Sequence, residues 1–318
     1  MCSPRAALNI KSFSIFMRCK CKGVEQQLTF GQRFDIVMTA YIQHLFIYPI
    51  KSLTGISCEY FDVSDRGARQ DRRWMLVDDR GRFISQREWP QLCLFGLTLA
   101  EGGFVVRTPI GSAQQGEVRI PHSLESGQTV LVDVWSDSVQ AIEASAEINH
   151  FFSSALSMSC RLVYMPDVSH RPVDRAYATN GELTSFADAY PLLLIGSASL
   201  DALNTRLHES NELALGWDRF RPNIVAATQQ AHCEDEWAEF VMGEVQASGV
   251  KLCSRCVLTT INQADGSKGK EPLRTLSTYR NMGGKVMFGQ NVIAREGRVR
   301  VGDAIEVRKF GYPPNAKS

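Results

Sequence analysis

The chain has 318 residues, of which 44% are hydrophobic and 22% are charged, so it is long enough to bury a sizeable core. Its 35 basic and 34 acidic residues leave a formal net charge of +1, which gives no overall attraction to nucleic acid or to an anionic membrane. The longest apolar runs, residues 45–50 and 191–196, are far shorter than the roughly 18 residues of a membrane-spanning helix. We therefore expect a soluble protein without nucleic-acid partners.

Residues 1–38 form a leader whose composition differs from that of the rest of the chain. Its basic residues outnumber Glu25 and Asp35, and they are Arg5, Lys11, Arg18, Lys20, Lys22 and Arg33. An acid-poor leader of this kind is compatible with an organelle transit peptide. The alternative is a disordered or upstream-start extension, because a strand pattern begins directly after Met38. We favour the extension and a cytoplasmic protein, with an organellar location as the alternative.

The cysteines indicate a reducing compartment. They are odd in number and irregularly spaced, in a chain too large to need disulfide support: Cys2, Cys19, Cys21, Cys58, Cys93, Cys160, Cys233, Cys253 and Cys256. We expect free thiols, most of them acting as small buried hydrophobic side chains.

Short strands dominate the first half of the chain beyond the leader. A strand pattern runs from Tyr41 to Pro49, and residues 73–77 and 82–85 form a predicted hairpin around the turn at 78–81. Further strands are predicted at residues 93–99, 104–107, 118–120 and 130–134. So many short strands favour a barrel or a curled sheet over a parallel α/β core.

Helical periodicity appears later in the chain. Helices are predicted at residues 144–156, at 198–208 with Ser197 as the N-cap, and from Pro272 to about residue 280. A polar connection covers residues 165–183. Strands are predicted at residues 192–195, 223–226, 257–261, 286–293 and 304–307.

Cys253 and Cys256 form a C-x-x-C pair, the sharpest local motif of the chain. Its spacing leaves three interpretations open. A zinc site would need a second Cys/His pair at suitable spacing, which the sequence does not offer. A thioredoxin-type dithiol would need a following helix, whereas the largely β-branched run 257–261 predicts a strand. The third interpretation is that the two cysteines are neighbours by chance.

Several other segments, in this order, resemble proteins of the MOSC superfamily. They are residues 48–53 (YPIKSL), 71–78 (DRRWMLVD), 83–88 (FISQRE), 219–225 (RFRPNIV), 253–260 (CSRCVLTT), 288–290 (FGQ) and 301–303 (VGD). The resemblance covers residues 39–308 and is greatest to the mitochondrial amidoxime-reducing component and bacterial YcbX-type reductases. It implies an α+β, mostly β fold. An N-terminal MOSC β-barrel module (39–160) would pack on a MOSC β-barrel domain (161–310), followed by a tail (311–318).

The resemblance also implies a molybdenum cofactor, Mo-molybdopterin, whose metal is bound by a cysteine. The second cysteine of the pair matches this ligand, so we assign the metal to Cys256. A thiolate is the soft ligand that such a metal accepts. Arg255 lies beside it in the sequence and would help to keep it deprotonated. Cys253 is interpreted as a structural neighbour.

Further residues match family positions that hold the cofactor. Lys51 and Ser52 match a phosphate-binding pair, to which Arg72 can add a two-pronged grip. Arg221 and Asn223 match positions near the pterin and the phosphate. An arginine taken alone is usually a solvated or salt-bridged surface charge, and we interpret Arg73 in this way.

Asp188 matches a family position near the metal and is a candidate for proton delivery to the substrate. The alternative is a turn aspartate that bonds to its own backbone. Tyr190 is larger than the residue that the mitochondrial members carry at this position, so the shape of the substrate pocket is expected to differ.

The function that the resemblance implies is the two-electron reduction of N-hydroxylated compounds: hydroxylamines, amidoximes and N-hydroxylated bases. No cysteine follows Cys256, so the cysteine run of a plant-type ferredoxin domain is missing. We expect a separate electron-donor protein of ferredoxin, flavoprotein or cytochrome type, and a monomer. One alternative is a molybdopterin carrier or sulfur-handling module without turnover. Another is a thiol–disulfide protein that uses Cys253 and Cys256.

Overall fold

The computed structural model describes residues 40–112, 115–178 and 180–313. The predicted leader, with Cys2, Cys19 and Cys21, lies outside the described residues, as do residues 314–318 of the predicted tail. Among the described residues, no helix is long and apolar enough to span a membrane.

Short strands make up most of the regular structure. In the first half they are β1 (Ala40–Ile47), β2 (Ile56–Cys58), β3 (Tyr60–Ser64), β4 (Gly67–Ala68), β5 (Trp74–Val77), β6 (Gly96–Ala100), β7 (Gly103–Arg107), β8 (Glu117–Pro121), β9 (Thr129–Val134), β10 (Asp137–Glu143) and β11 (Arg161–Tyr164). In the second half they are β12 (Leu192–Gly196), β13 (Ile224–Ala227), β14 (Trp237–Met242), β15 (Val245–Ser254), β16 (Asn281–Met282), β17 (Lys285–Ala294), β18 (Gly297–Arg300) and β19 (Ala304–Phe310).

A closed barrel of seven strands organises the second half. The strands follow one another in the order β12-β13-β1-β19-β14-β15-β17, and β17 pairs back with β12. The closing contact is antiparallel, with Leu192 opposite Val292 and Leu194 opposite Gln290. The predicted mostly β fold class is therefore confirmed.

Of the remaining strands, β2 pairs with β1 and β16 pairs with β17, and the others form smaller sheets in the orders β5-β11-β10-β9, β18-β3-β4 and β6-β7-β8. Strand β5 is buried on both faces. Since successive side chains of a strand point to opposite sides, its residues belong to two different cores. Trp74 and Leu76 belong to the main hydrophobic core, whereas Met75 and Val77 belong to a second core. Arg72 lies two residues before this doubly buried strand.

The strand pairing interleaves the two predicted segments. β1 comes from the first half of the chain, yet it pairs with β13 and β19 inside the barrel. β18 comes from the second half and pairs with β3. The predicted boundary at residue 160 stays a prediction, and strands cross it in both directions.

The helices are α1 (Ala146–Leu156), α2 (Ser197–Glu209) and α3 (Leu273–Ser277). All three were predicted, but two details were wrong. The N-cap of α2 is Gly196, because the Ser197 hydroxyl accepts the N–H of Thr228 and does not cap the helix. Helix α3 ends at Ser277, since the chain turns at once into the short hairpin of β16 and β17.

One predicted strand segment is in fact a 3-10 turn, and another begins in one. Residues Val257–Thr260 form one such turn, in which the Thr259 and Thr260 hydroxyls donate to carbonyls three residues back, those of Cys256 and Val257. These side-chain bonds favour a turn in spite of the β-branched composition. Residues Pro90–Leu94 form another, with proline in its first turn, so the strand predicted at 93–99 is reduced to β6.

The predicted hairpin at residues 73–85 is partly present. Asp78 accepts the backbone N–H groups of Arg80 and Arg82, and this shapes the turn as predicted. The second arm is joined to β5 by a single bridge between Val77 and Phe83. The main partner of β5 is β11, far along the chain, which local turn chemistry could not reveal.

Candidate functional site

A cavity of about 410 Å³ brings the predicted site residues together. Its lining comes from both halves of the chain and includes every one of them: Lys51, Ser52, Arg72, Asp188, Arg221, Asn223, Arg255 and Cys256. The volume lies toward the small end of the range for cofactor and ligand pockets. Arg73 is not part of the lining and forms an ion pair with Asp167, in agreement with its interpretation as a salt-bridged charge.

Positive charge dominates this cavity. The basic residues in its lining are Lys51, Arg72, Arg87, Arg221, Lys251 and Arg255, and Asp188 is the single acidic residue in that lining. In a chain whose net charge is only +1, such a concentration is local. The cavity is therefore suited to an anionic ligand.

Cys256 presents a free, exposed thiol to the cavity. It stands just before the 3-10 turn Val257–Thr260, in an extended conformation, and its side chain does not cap that turn. Arg87 directs Nε and Nη2 at the Cys256 sulfur, at 3.4 and 3.2 Å. Two N–H groups of a guanidinium stabilise a thiolate by charge-assisted hydrogen bonds.

Arg255, the neighbour predicted to assist Cys256, points elsewhere. Its Nη1 lies 2.9 Å from the Cys253 sulfur, and its Nη2 donates to the carbonyl of Phe220. Successive side chains of an extended segment point in different directions. Arg255 therefore does not contact the Cys256 sulfur, although it is adjacent in sequence. Arg255 still lines the cavity, and its contact with Cys253 supports a structural role for that cysteine.

Asp188 and Lys51 form an ion pair, with Lys51 Nζ 2.6 Å from Asp188 Oδ1. The Asp188 side chain is more than half exposed, and although its place in the cavity wall raises its pKa, the charges of Lys51, Arg87 and Arg72 hold the pKa well below its usual range. Burial lowers the pKa of Lys51 to about 8, and Asp188 only partly opposes this because Arg171 and Arg72 act in the same direction as burial. The single carboxylate of Asp188 thus interacts with several basic side chains.

Arg171, which the sequence analysis missed, holds the Asp188 segment in place. Its guanidinium donates to the carbonyl oxygens of Ser185, Ala187 and Asp188, and its Nε pairs with Asp137 at 2.7 Å. Asp188 therefore projects from a backbone that is fixed from behind. Its carboxylate bonds to side chains and not to its own backbone, unlike the turn aspartate of the alternative interpretation.

Two guanidinium groups lie over the ring of Tyr48. Arg72 Cζ is 4.3 Å and Arg221 Cζ is 4.2 Å from the ring centroid. Arg72 is also bonded to Asp71 and to the carbonyl of Arg221. For the Arg221 guanidinium, in contrast, the described part of the chain supplies no hydrogen-bond or ion-pair partner. Burial and the neighbouring Arg72 lower the pKa of Arg221 to about 10.

Ser52 and Asn223 differ in what they can offer a ligand. No described residue accepts from or donates to the Ser52 hydroxyl, and Ser52 has a positive φ of 72°. The Asn223 amide is already engaged, since it accepts from Leu193 N and Arg72 and donates to the Phe46 carbonyl. Asn223 thus ties the cavity wall to β1 and β12.

Tyr190 occupies a corner of the cavity beside Lys251, whose Nζ lies 5.8 Å from the Tyr190 ring centroid and 4.0 Å from that of Tyr177. The Tyr190 hydroxyl is buried without a hydrogen-bond partner among the described residues. A large side chain at this position narrows the corner.

Arg87, Trp135 and Lys251 also line the cavity and were not predicted. Arg87 lies within the FISQRE segment that carried part of the resemblance, so a signal for it was present. Trp135 lies in a hairpin turn and had no such signal. Residues 40–112, 115–178 and 180–313 contain no cluster of three or more His, Cys, Asp or Glu side chains that could hold a metal ion.

Comparison with known proteins gives the family. Residues 39–159 match the MOSC N-terminal beta barrel domain, and residues 182–306 match the MOSC domain. Mitochondrial amidoxime-reducing component 1 of Mus musculus is 32% identical over 284 residues, which are 83% of this chain and 81% of the relative. Mitochondrial amidoxime reducing component 2 of Rattus norvegicus is 31% identical over 294 residues, 86% of this chain and 85% of the relative.

A second kind of relative is much longer. Molybdenum cofactor sulfurase of Oryza sativa subsp. japonica is 27% identical over 299 residues, which cover 87% of this chain but only 36% of the relative. The chain thus spans about a third of that protein. The two domain matches and the similarity to the amidoxime-reducing components agree with the order of the motifs and with the closed barrel. The chain belongs to the MOSC family, with an N-terminal MOSC β-barrel domain followed by a MOSC domain.

Proposed function

We propose that the chain binds the molybdenum cofactor in the described cavity, with Cys256 as the metal ligand, and reduces N-hydroxylated compounds. The observation that carries this proposal is the exposed Cys256 thiol at a cavity whose lining has six basic side chains and one acidic side chain. The names of the amidoxime-reducing relatives support the reaction class.

The donor set fits such a cofactor. The Arg221 side chain is largely buried and its guanidinium faces the cavity beside Arg72, so its charge is costly until an anion binds there. A phosphate would satisfy Arg221, and the Ser52 hydroxyl and Lys51 would add a donor and a charge. The thiolate of Cys256 is a soft ligand for the metal. Arg72, Asn223 and Arg255 would shape the wall around the pterin.

The bound cofactor would supply the two electrons that cleave the N–O bond, with two protons taken up and water released. The chain's own residues bind and orient the substrate. Asp188 is anionic at neutral pH, so it cannot act as an acid from its own carboxyl group. In the proposal it orients the substrate and positions the Lys51 ammonium, 2.6 Å away, from which the proton is delivered.

A separate electron-donor protein of ferredoxin, flavoprotein or cytochrome type belongs to the proposal, as does a monomeric chain. The expected cytoplasmic location stays a prediction. The mitochondrial relatives make the organelle the alternative to test first.

A second candidate function is cofactor carriage or sulfur handling without turnover. The similarity to molybdenum cofactor sulfurase supports this candidate. Both functions require cofactor binding, so substrate-dependent turnover with an artificial electron donor separates them.

The test compares Cys256→Ser with Cys253→Ser, both produced in a host that makes the cofactor. We expect near-stoichiometric molybdenum in the wild type and in Cys253→Ser, and less than a tenth of it in Cys256→Ser, because only one of the two sulfurs is the proposed ligand. Metal analysis and reduction of an amidoxime measure the two steps.

A folded wild type without metal would contradict the cofactor proposal. If Cys253→Ser and Cys256→Ser then lower the activity equally, the result would favour a thiol–disulfide protein. Full metal content in the wild type without turnover would favour the carrier function.

A further inference from the structure

Trp135 occupies an unusual position at the cavity. It is the first residue of the two-residue turn that joins β9 and β10, between the paired residues Val134 and Asp137. Its φ is 58°, and 47% of its surface is exposed. Glycine is the residue that usually takes a positive φ at this place in a two-residue hairpin loop. A bulky aromatic residue there is an outlier.

The side-chain contacts of Trp135 are with site residues. Its indole Nε1 donates to Asp188 Oδ1 at 3.3 Å, and Arg87 Cζ lies 4.5 Å from its ring centroid. Phe83 supports the ring at 4.9 Å and an interplanar angle of 60°. A residue that departs from backbone preference yet serves the site is a candidate for function.

Arg87 extends this arrangement to the proposed metal ligand. The same guanidinium that stacks on Trp135 directs two N–H groups at the Cys256 sulfur and lies 3.5 Å from Asp188 Oδ2. The indole and the guanidinium are both planar, and both line the cavity. The guanidinium lies over the indole ring, so the two groups form a stack beside the sulfur, which we call the Trp135–Arg87 wall.

A cavity of about 410 Å³ that also holds a pterin cofactor leaves little room within it for the body of a substrate. The exposed part of the Trp135–Arg87 wall, in which Trp135 is 47% exposed, then offers a planar surface on which that body can rest. Planar conjugated groups stack on aromatic and guanidinium faces, whereas saturated groups do not gain this contact.

We propose that Trp135 is a specificity-determining residue that favours planar, conjugated N-hydroxylated substrates, such as amidoximes and N-hydroxylated bases, over saturated hydroxylamines. This inference rests on the proposed function and names its substrate class. It assigns the choice of substrate to the Trp135–Arg87 wall and leaves cofactor binding to the residues already described.

The kinetic test uses the molybdenum-loaded protein with benzamidoxime and N-cyclohexylhydroxylamine, which are similar in size and differ in planarity. In Trp135→Ala we expect KM for benzamidoxime to rise about tenfold, at the upper end for one aromatic stacking contact. KM for N-cyclohexylhydroxylamine and kcat for both should change less than twofold. Trp135→Phe, which keeps a flat ring, should recover most of the loss.

Tyr60→Ala is the matched control. Tyr60 is also exposed and also carries an arginine, with Arg298 Cζ 4.5 Å from its ring centroid, but it is not part of the cavity lining. This variant should leave both substrates unchanged. If Trp135→Ala does not fold, Trp135→Asn replaces it, since asparagine tolerates a positive φ.

Equal effects of Trp135→Ala on both substrates, or none on either, would overturn the inference while leaving the proposed function intact. A binding measurement keeps the inference testable if the wild type turns over neither compound. In the oxidised, metal-loaded protein without an electron donor, benzamidoxime should shift the indole N–H resonance of Trp135, which is identified by its absence from Trp135→Phe. An unshifted resonance at saturating benzamidoxime would also overturn the inference.

Discussion

Arg221 illustrates how one residue can lower the stability of the fold and still contribute to ligand binding. Its side chain is largely buried, and its guanidinium lies over Tyr48 at 4.2 Å and lines the cavity, where the described residues offer it no hydrogen-bond or ion-pair partner. Burial of the side chain and the like charge of Arg72 both disfavour this cation and lower its pKa to about 10. The ligand-free protein therefore carries a cost that an anion in the cavity would offset.

We expect Arg221→Met to separate stability from binding. Without cofactor, the variant should unfold about 2–4 °C above the wild type, since roughly 1 kcal/mol of charge burial is removed. In a cofactor-producing host it should retain less than a tenth of the wild-type molybdopterin. Thermal unfolding and pterin fluorescence after release of the cofactor measure the two effects.

Arg298→Ala is the control for this experiment. Arg298 pairs with Asp62 at the surface, away from the cavity, so its loss should change neither quantity by much. An Arg221→Met variant that keeps its cofactor would contradict the assignment of this residue to an anion site.

At the residue scale, the sequence predicted which residues line the site better than it predicted their contacts with one another. All eight predicted site residues line one cavity. Which arginine touches the Cys256 sulfur could not be predicted, because Arg255 is adjacent in sequence while Arg87 is adjacent in space. Side-chain direction depends on the local backbone, and the bend into the 3-10 turn after Cys256 was not visible in the sequence.

At the element scale, Gly249 shows how the barrel restricts its strands. It lies at an irregularity of β15 opposite Val292 in β17, and a Cβ added there would overlap the Gln290 side-chain amide and the Trp237 carbonyl oxygen. A main-chain oxygen cannot move aside without disturbing the sheet. Because Gly249 has no side chain, β15 can pack closely against Gln290 and the Trp237 carbonyl oxygen at this position.

We expect Gly249→Ala to lower the free energy of unfolding by about 2–3 kcal/mol, the upper part of the usual range for overpacking. Gly96→Ala in β6 is the matched strand control, because its added Cβ would lie at an ordinary 3.6 Å from the Arg107 Cβ. That change should be neutral or slightly stabilising. Chemical denaturation of both variants beside the wild type gives the comparison, and equal effects would contradict the steric argument.

The elements themselves were predictable where one periodicity covered a long segment. The apolar stripe Leu200, Leu203 and Leu207 gave α2, and all three side chains are buried. Residues 257–261 were misassigned, because β-branched composition favours strands while the two threonine hydroxyls instead bond within a turn. Strands β14 and β15 carry no strong alternation and were not predicted.

At the scale of the whole molecule, the interleaved strands should make the two halves depend on each other. The barrel lacks β1 if residues 40–160 are removed, and β3 loses its partner β18 if residues 161–313 are removed. We expect the intact chain to unfold in one transition, and neither half to unfold cooperatively when produced alone. Circular dichroism during heating tests this, and a cooperative transition in the isolated second half would contradict it.

The pairing of β1 with β19 also sets an order of events during synthesis. Ala40 lies opposite Ile305, so the first strand of the barrel emerges from the ribosome well before the strand beside which it belongs. At roughly 5–20 residues per second, the interval is on the order of 15–50 s. The wall that carries Cys256 closes only after β19 has been translated. Insertion of the proposed cofactor would therefore have to wait until β19 has been translated, so finished cofactor would need to be available at that late stage.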